Sequence, residues 1–287
     1  MANDVAVQVN GLRKRYGDTY AVDGVELEIR RGEVFALLGP NGAGKTTTVE
    51  ILEGFRQRNG GVAEVLGEDP GRAGRAWRAR IGIVLQLASA GPEVSVREMV
   101  RHFARFYPRP RDPEEVIGLV GLAGQAGKRI SALSGGQARR VDVALGIVGR
   151  PELLFLDEPT TGFDPQARRQ FWALVRELAA EGVTILLTTH YLEEAEALAG
   201  RLAVLAGGRV VAVGTPASLG GSGRPATVSW DTPGGRRSVP TPAPAQVVAD
   251  LVRQAGGEVP GLTVTRPTLE DTYLELIAGT GGTEGQA

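Results

Sequence analysis

Strand-length apolar runs alternate with helical patterns along most of the chain. Val5, Val7 and Val9 recur at every second position, which is typical of a strand with one buried face. Largely apolar runs with the length of buried strands follow at 34–38, 81–85, 153–156 and 183–187. Between 166 and 181 the apolar residues have helical spacing, which predicts an amphipathic helix. This alternation predicts a mainly parallel sheet covered on both faces.

The pattern changes twice, and these changes suggest the domain boundaries. From about 90 to 149 helical patterns replace the strand-length runs, which predicts a helical insert within the sheet domain. A segment rich in Gly, Pro and Ser at 221–235 predicts a linker, and 236–279 has the pattern of a small α+β domain. We therefore expect a first domain over 1–220, the linker, the small domain and a disordered tail at 280–287.

Composition excludes several kinds of site. The 287 residues are 42% hydrophobic and 23% charged, an ordinary globular balance, and the net charge of −1 gives no basic excess for nucleic acid. The chain has no cysteine and two histidines, so disulfides, thiolate metal sites and multi-histidine metal sites are excluded or disfavoured. The apolar runs fall short of the about 18 residues of a membrane span, and Met1–Tyr16 lacks a signal-peptide core.

A glycine-rich loop follows the apolar run at 34–38 and opens a helical pattern. It matches G-x-x-x-x-G-K-[ST], a loop whose backbone N–H groups and helix N-terminus cradle phosphates. Lys45 is suited to the β- and γ-phosphates and Thr46 to Mg²⁺. The chain has three lysines against 29 arginines, so a lysine at this position is informative. The predicted nucleotide-binding residues of the loop are Gly39, Pro40, Asn41, Gly42, Ala43, Gly44, Lys45, Thr46 and Thr47.

Two further motifs carry candidate chemistry. Asp157 and Glu158 follow the apolar run at 153–156, at the strand end where parallel sheets bind ligands. Asp157 is suited to hold Mg²⁺ and Glu158 to orient or deprotonate a water that attacks the γ-phosphate. The sequence Leu133-Ser-Gly-Gly-Gln137 opens a helical pattern, where Ser134 is a cap and free N–H groups form a second anion site. Taken alone, this second glycine motif would favour an ordinary capped helix.

The order of these motifs resembles the nucleotide-binding domain of ATP-binding-cassette (ABC) transporters. The phosphate loop is followed by Gln86 after a strand, then by LSGGQ, LLFLDE, an aspartate turn and Thr188-Thr-His190. The resemblance covers about residues 5–220. It implies an α/β fold with a RecA-like P-loop NTPase core, a mainly parallel sheet, an antiparallel N-terminal β subdomain, the helical insert and a small α+β C-terminal tail.

The resemblance also implies roles for single residues. Tyr16 corresponds to the aromatic residue that stacks on adenine. Gln86 corresponds to the glutamine that contacts Mg²⁺ or the attacking water and reports nucleotide state to the membrane partner. Asp164 lies in a loop at the dimer interface, although Thr161 and Phe163 beside it depart from the common Ser-x-Leu-Asp pattern. His190 is expected to hydrogen-bond the γ-phosphate. The signature residues that would contact ATP on the opposite domain are Ser134, Gly135, Gly136 and Gln137.

In this family two cassettes dimerise head to tail, so the resemblance implies a second copy or a close relative as partner. It also implies ATP and Mg²⁺ as ligands, a separate transmembrane permease of ABC-2 type, no nucleic-acid partner, and a peripheral place at the cytoplasmic face of the plasma membrane. The cluster Phe103, Phe106 and Tyr107 is a candidate permease contact, with Phe106 and Tyr107 expected to be the more exposed because Pro108 follows them.

The segment Thr268-Leu-Glu-Asp-Thr-Tyr-Leu-Glu-Leu276 looks like the tail of daunorubicin-resistance-type exporter ATPases, which implies export of drugs or other hydrophobic molecules and a role in antibiotic resistance. Two alternatives stay open. One is an importer ATPase, and the other is a soluble cassette protein of translation or DNA repair. The single cassette, the lack of heptads and the net charge of −1 argue against the second alternative.

Overall fold

The computed structural model describes residues 4–84, 93–221 and 224–280. The chain divides into two compact units between Val213 and Gly214. The sequence predicted the end of the first domain at 220, so the structure moves this boundary toward the N-terminus. Residues Pro216–Leu219 form a short helix that packs on the helix Leu269–Thr280, which explains why this segment belongs with the second unit.

Nine strands form two sheets among the described residues of the first unit. The strands are β1 (Val5–Tyr16), β2 (Thr19–Arg30), β3 (Val34–Leu38), β4 (Gly60–Val65), β5 (Ile81–Val84), β6 (Leu153–Asp157), β7 (Thr184–Thr189), β8 (Arg201–Ala206) and β9 (Arg209–Gly214). The main sheet has the order β5-β6-β7-β3-β8-β9, and its pairs from β5 to β8 are parallel. The smaller sheet, β2-β1-β4, is antiparallel. The predicted mainly parallel sheet and antiparallel N-terminal sheet are both present.

Seven α-helices accompany these sheets in the described part of the first unit. They are α1 (Lys45–Leu52), α2 (Arg75–Arg78), α3 (Val96–Ala104), α4 (Pro113–Leu119), α5 (Gly135–Ile147), α6 (Pro165–Ala180) and α7 (Leu192–Leu198). Four of them are preceded by a capping residue whose side chain accepts a hydrogen bond from a backbone N–H of the first turn. These residues are Ser95, Asp112, Ser134 and Asp164. Helices α3, α4 and α5 lie between β5 and β6 in the chain, in the predicted helical insert.

The register of the main sheet brings the ends of three strands together. Every residue of β3, β6 and β7 is buried, as expected for strands covered on both faces. Leu38 pairs with Thr189, and Asp157 pairs with Thr188, so β3, β6 and β7 end at the same level. The residues that follow β3 and β6 therefore meet at one edge of the sheet.

The part of the second unit that the structure describes has a three-stranded antiparallel sheet, β11-β10-β12, and three helices. Its elements are α8 (Pro216–Leu219), β10 (Ala226–Thr232), β11 (Gly235–Thr241), α9 (Pro244–Ala255), β12 (Thr263–Thr265) and α10 (Leu269–Thr280). The prediction of a linker at 221–235 is therefore wrong over β10. The flanking glycines suggested a linker, whereas Ala226 and Val228 are buried and anchor β10 as the central strand.

The predicted disordered tail at 280–287 lies outside the described residues except for Thr280, the last residue of α10. No helix within the described ranges has both the length and the apolar character needed to cross a bilayer.

Candidate functional site

The phosphate loop connects β3 to α1, as the sequence predicted. Gly44 precedes α1 with φ of +100°, and a Cβ at this position would lie 2.2 Å from the carbonyl oxygen of Ala21. A Cβ on Gly39 would lie 2.3 Å from the carbonyl oxygen of Leu205. Only glycine fits at these two positions, because a side chain would collide with backbone atoms that cannot move away. The loop thus turns closely against its neighbours and leads directly into the N-terminus of α1.

Lys45 places a buried cation at the centre of this loop. Its side chain is 5% exposed, and Nζ donates to the carbonyl oxygens of Gly39 at 2.8 Å and Pro40 at 3.1 Å. Nζ also lies 3.5 Å from Oε1 of Glu158. Asn41, Gly42 and Thr46 are exposed around it, Ala43 is buried, and Thr47 is half-buried. A desolvated ammonium beside exposed loop residues and a helix N-terminus suits the binding of phosphate.

Asp157 meets the first turn of α1 at the edge of the main sheet. The hydroxyl of Thr46 donates to Oδ2 of Asp157 at 3.3 Å, and the hydroxyl of Thr188 donates to Oδ1. Because Asp157 is buried and accepts this hydrogen bond from Thr188, its carboxylate is held in one orientation. A carboxylate and a hydroxyl side by side are oxygen ligands of the kind that Mg²⁺ prefers. Gln86, the third predicted metal ligand, lies outside the described residues.

Glu158 has an unusual backbone conformation and three charged or polar neighbours. Its φ is +44°, a left-handed value that is uncommon for a residue with a Cβ. Its backbone N–H donates a hydrogen bond to the hydroxyl oxygen of Thr188 at 3.0 Å, and its Oε2 lies 3.2 Å from Nδ1 of His190. The side chain is 10% exposed. The structure therefore brings Glu158, His190 and Lys45 together, although they come from three separate segments of the chain.

Tyr16 lies at the end of β1, next to the tight turn into β2. Its ring is 44% exposed, with Lys14 Nζ 5.3 Å and Arg56 Cζ 5.4 Å from the ring centroid. Cations are attracted to the face of an electron-rich ring, so these two side chains and the ring form one cluster at the surface. None of the described contacts joins Tyr16 to the phosphate loop, so stacking on adenine stays a prediction.

The glycine motif at the start of α5 and the aspartate turn at the start of α6 line one cleft of about 370 Å³. Ser134 and Gln137 form a reciprocal capping box, and Asp164 accepts the N–H of Ala167 at 2.8 Å. A Cβ on Gly135 or Gly136 would meet open space, so this side of the helix N-terminus is accessible. None of the described residues that line the cleft belongs to the phosphate loop. The cleft and the phosphate loop are thus two separate parts of the surface of the first unit.

Sequence reasoning did not assign roles to two groups that support the acidic edge. Thr188 contacts both Asp157 and the N–H of Glu158, and Arg139 donates to the carbonyl oxygens of Asp157 and Pro159. Thr188 was recognised only as part of Thr188-Thr-His190. For Arg139 the sequence carries no signal, because its acceptors are backbone atoms.

A buried carboxyl group lies near the same edge. Glu53 follows the last turn of α1 and is 6% exposed. Burial, with smaller contributions from the negative charges of Asp157 and Glu50, raises the pKa of Glu53 to about 8. Its Oε1 has no hydrogen-bond partner among the described residues. This carboxyl group is therefore largely protonated at neutral pH.

Comparisons with known proteins agree with these observations. Residues 22–161 match the protein family described as ABC transporter. The "Daunorubicin resistance ATP-binding protein DrrA3" of Streptomyces coeruleorubidus is 39% identical over 304 aligned residues, which cover 95% of this chain and 96% of the relative. A "Nod factor export ATP-binding protein I" of Ralstonia nicotianae is 45% identical over 219 residues, which cover 74% of this chain and 68% of the relative.

A solved structure is similar in fold. The cbiO1 protein of Clostridium perfringens, described as part of the ABC transporter complex cbiONQ, is 30% identical with a TM-score of 0.69. The match covers 76% of this chain and 91% of that one. The predicted P-loop NTPase fold class is thereby confirmed.

Proposed function

The chain belongs to the ABC transporter family of ATP-binding proteins, and we propose that it powers an ABC-2-type exporter whose permease is a separate protein. As a member of this family it binds ATP and is an ATP hydrolase. The observation that carries the proposal is the convergence of Lys45, Asp157, Glu158 and His190 at the carboxyl edge of one parallel sheet. These are the groups that hydrolysis of a nucleoside triphosphate requires.

Each of these groups has a part in the proposed reaction. Lys45 and the loop before α1 bind the phosphates by charge and by backbone N–H groups. Glu158 takes the proton of the attacking water, and His190 beside it orients the γ-phosphate. Thr46 and Asp157 would hold Mg²⁺, with Gln86 as a further ligand. When bound, this ion neutralises the charge that develops on the phosphate oxygens.

The second anion site calls for a second cassette. The cleft of Ser134, Gly136 and Asp164 is open to solvent and separate from the phosphate loop of the same chain. A second copy, or a close relative, placed head to tail would bring that cleft against the γ-phosphate bound by Lys45. One ATP would then bridge two chains, and hydrolysis would weaken the contact by removing the shared phosphate.

Export is the direction that the relatives support. The two relatives are named for daunorubicin resistance and for Nod factor export, and the similarity to the first covers nearly the whole chain. Importer function and a role in translation or DNA repair are the alternatives. We propose a peripheral place on the cytoplasmic face of the plasma membrane and a cargo of drugs or other hydrophobic molecules.

A groove on helix α3 is the proposed contact with the permease. It has a volume of about 580 Å³ and is lined by Val94, Glu98, Met99, Arg101, His102 and Arg105. Phe106 follows the helix, is 67% exposed, and packs edge-on against the ring of His102. Tyr107, in contrast, is half-buried with its ring against Gly149, so the expected exposure of Tyr107 is wrong. A groove in which Val94 and Met99 lie among charged side chains, with the exposed ring of Phe106 beside it, suits an inserted helix.

The proposal is tested with Glu158→Gln. The amide cannot accept the proton of the water, so this variant should bind MgATP yet hydrolyse it at least about 100-fold more slowly. The trapped nucleotide should hold two chains together, which light scattering after size exclusion detects as a MgATP-dependent dimer. Glu64→Gln, an exposed carboxylate on β4, is the matched control and should behave as the wild type. Wild-type hydrolysis by Glu158→Gln would remove Glu158 from this role.

The membrane partner is tested by examining the reading frames that flank the gene for this chain and by co-expressing a membrane protein found there with the chain. Co-purification of the two proteins and stimulation of ATP hydrolysis in the complex would support the exporter assignment. A neighbouring frame without a membrane protein, together with ribosome or DNA association of the chain, would favour the alternative in translation or repair.

A further inference from the structure

One side chain of helix α5 holds the backbone on both sides of Glu158. Arg139 Nη2 donates to the carbonyl oxygen of Asp157 at 3.0 Å, and Nε donates to that of Pro159 at 3.4 Å. Between these two carbonyls lies Glu158 with its φ of +44°. A left-handed conformation at a residue with a Cβ persists only where its surroundings fix it. Arg139 supplies part of that fixation from a different element of the fold.

The chemistry of arginine matches this position. The side chain of Arg139 is 10% exposed, and Asp142 lies 3.8 Å away on the same helix. Burial lowers the pKa of the Arg139 guanidinium, because the charged form loses contact with water. A buried guanidinium needs acceptors for its N–H groups, and the two carbonyls provide them. A planar fork can reach two carbonyls at once, whereas a lysine ammonium is a point charge on a flexible stem.

Helix α5 is itself firmly attached to the main sheet. A Cβ on Gly82 of β5 would lie 2.2 Å from the carbonyl oxygen of Gly146, so helix and strand are in close contact at this point. The N-terminus of the same helix is capped by Ser134, five residues and about 7.5 Å along the axis from Arg139. Arg139 therefore joins the strand end that carries Glu158 to the helix that begins at the Ser134 cleft.

We propose that Arg139 is a positioning residue for ATP hydrolysis: it fixes the backbone of Glu158 so that the carboxylate stays beside Lys45 and His190. This inference rests on the proposed role of Glu158 as the group that activates water. Arg139 acts through Glu158 and through the carbonyls of Asp157 and Pro159. Its loss should therefore slow the chemical step and leave ATP binding nearly unchanged.

A double-mutant cycle of Arg139 and Glu158 tests this inference. Single-turnover hydrolysis of MgATP is measured for the wild type, Arg139→Gln, Glu158→Gln and the double variant. A carboxylate displaced by about 1 Å loses roughly 10- to 100-fold in rate, which is the effect expected of Arg139→Gln in the wild-type background. In the Glu158→Gln background the same change should alter the residual rate less than about twofold, because the group that it positions is already inactive.

Two further variants separate positioning from general damage. Arg111 is also a buried arginine, paired with Glu181 and Glu115 away from the acidic edge, so Arg111→Gln controls for the loss of a buried guanidinium. Its rate per folded chain should equal that of the wild type. Arg139→Lys keeps the charge beside Asp142 and is used for the cycle if Arg139→Gln does not fold. Arg139→Lys should also hydrolyse ATP more slowly than the wild type, because lysine lacks the planar guanidinium that reaches both carbonyls.

The outcomes are distinct. Three results would overturn the role of Arg139. In the first, Arg139→Gln lowers the rate of hydrolysis by the same factor in both backgrounds. In the second, the affinity for ATP falls by as much as the rate, and in the third the rate does not fall at all. Wild-type hydrolysis by the single variant Glu158→Gln would instead overturn the proposed role of Glu158, and that result is read without any change at Arg139.

Discussion

The buried carboxyl group of Glu53 makes the stability of the first unit depend on pH. Its pKa is raised from an ordinary value of 4.5 to about 8, first because burial disfavours the charged form and then because Asp157 and Glu50 are negative. A raised pKa in the folded state means that folding takes up a proton between these two values. The stabilising contribution is complete below pH 4.5 and is lost as the pH rises through 8.

The magnitude follows from the size of this shift. One pKa unit corresponds to about 1.4 kcal/mol, so Glu53 should lower the free energy of unfolding by up to about 1.4 kcal/mol per pH unit between pH 5 and 8. Because the slope is smaller near each pKa, the loss over this range is roughly 3 to 4 kcal/mol. In Glu53→Gln a neutral amide replaces the carboxyl group, so this loss is absent. The free energy of unfolding of the variant should match that of the wild type near pH 5 and exceed it by roughly 3 to 4 kcal/mol at pH 8.

Urea unfolding at pH 5, 6, 7 and 8 measures this difference. Trp77 and Trp172 are buried in the first unit and report its unfolding by fluorescence, so the measurement is made with Trp230 of the second unit replaced by Phe. The exposed Glu64→Gln serves as control and should run parallel to the wild type. Parallel curves for Glu53→Gln and the wild type would refute the argument, because Glu53 would then have the same pKa in the folded and unfolded chain.

Three further predictions concern ligands and partners. Lys45→Ala removes a charge-assisted phosphate contact and should weaken binding of a fluorescent ATP analogue at least about 10-fold and abolish turnover, whereas near-normal affinity would contradict the phosphate-loop assignment. A mixture of Ser134→Arg and Lys45→Ala chains should regain activity through one intact composite site, and inactive heterodimers would contradict binding across two chains. Phe106→Ala should keep basal ATP hydrolysis but reduce co-purification with the permease. The control is Tyr20→Ala, which removes another exposed aromatic ring, and an unchanged yield of the complex with Phe106→Ala would exclude this groove as the permease contact.

The sequence predicted those parts of the fold and site that depend on local patterns. The buried strands around 34–38 and 153–157, and the helix that begins at Lys45, follow from apolar runs and a glycine loop that carries its own geometry. Strand β4 and helix α2 were not predicted from the sequence. Gly60 and Gly61 interrupt the strand pattern of β4, and α2 has only four residues. β4 is stabilised by pairing with β1 rather than by its own propensity.

The supporting groups of the site depend on contacts between distant segments, which no local pattern records. Thr188 reaches Asp157 from a strand 31 residues further along the chain, and Arg139 reaches the same residue from 18 residues before it. The residue types do not predict such contacts, since arginine and threonine are more often exposed than buried. Glutamate and arginine are usually exposed and charged, and burial changes the behaviour of both Glu53 and Arg139. It makes the Glu53 carboxyl group mostly neutral, and it means that the Arg139 guanidinium needs acceptors such as the backbone carbonyls. In the proposed reaction the chemistry is thus carried by recognisable motifs, while the carboxylates of Asp157 and Glu158 lie where contacts from α1 and α5 meet the end of β6.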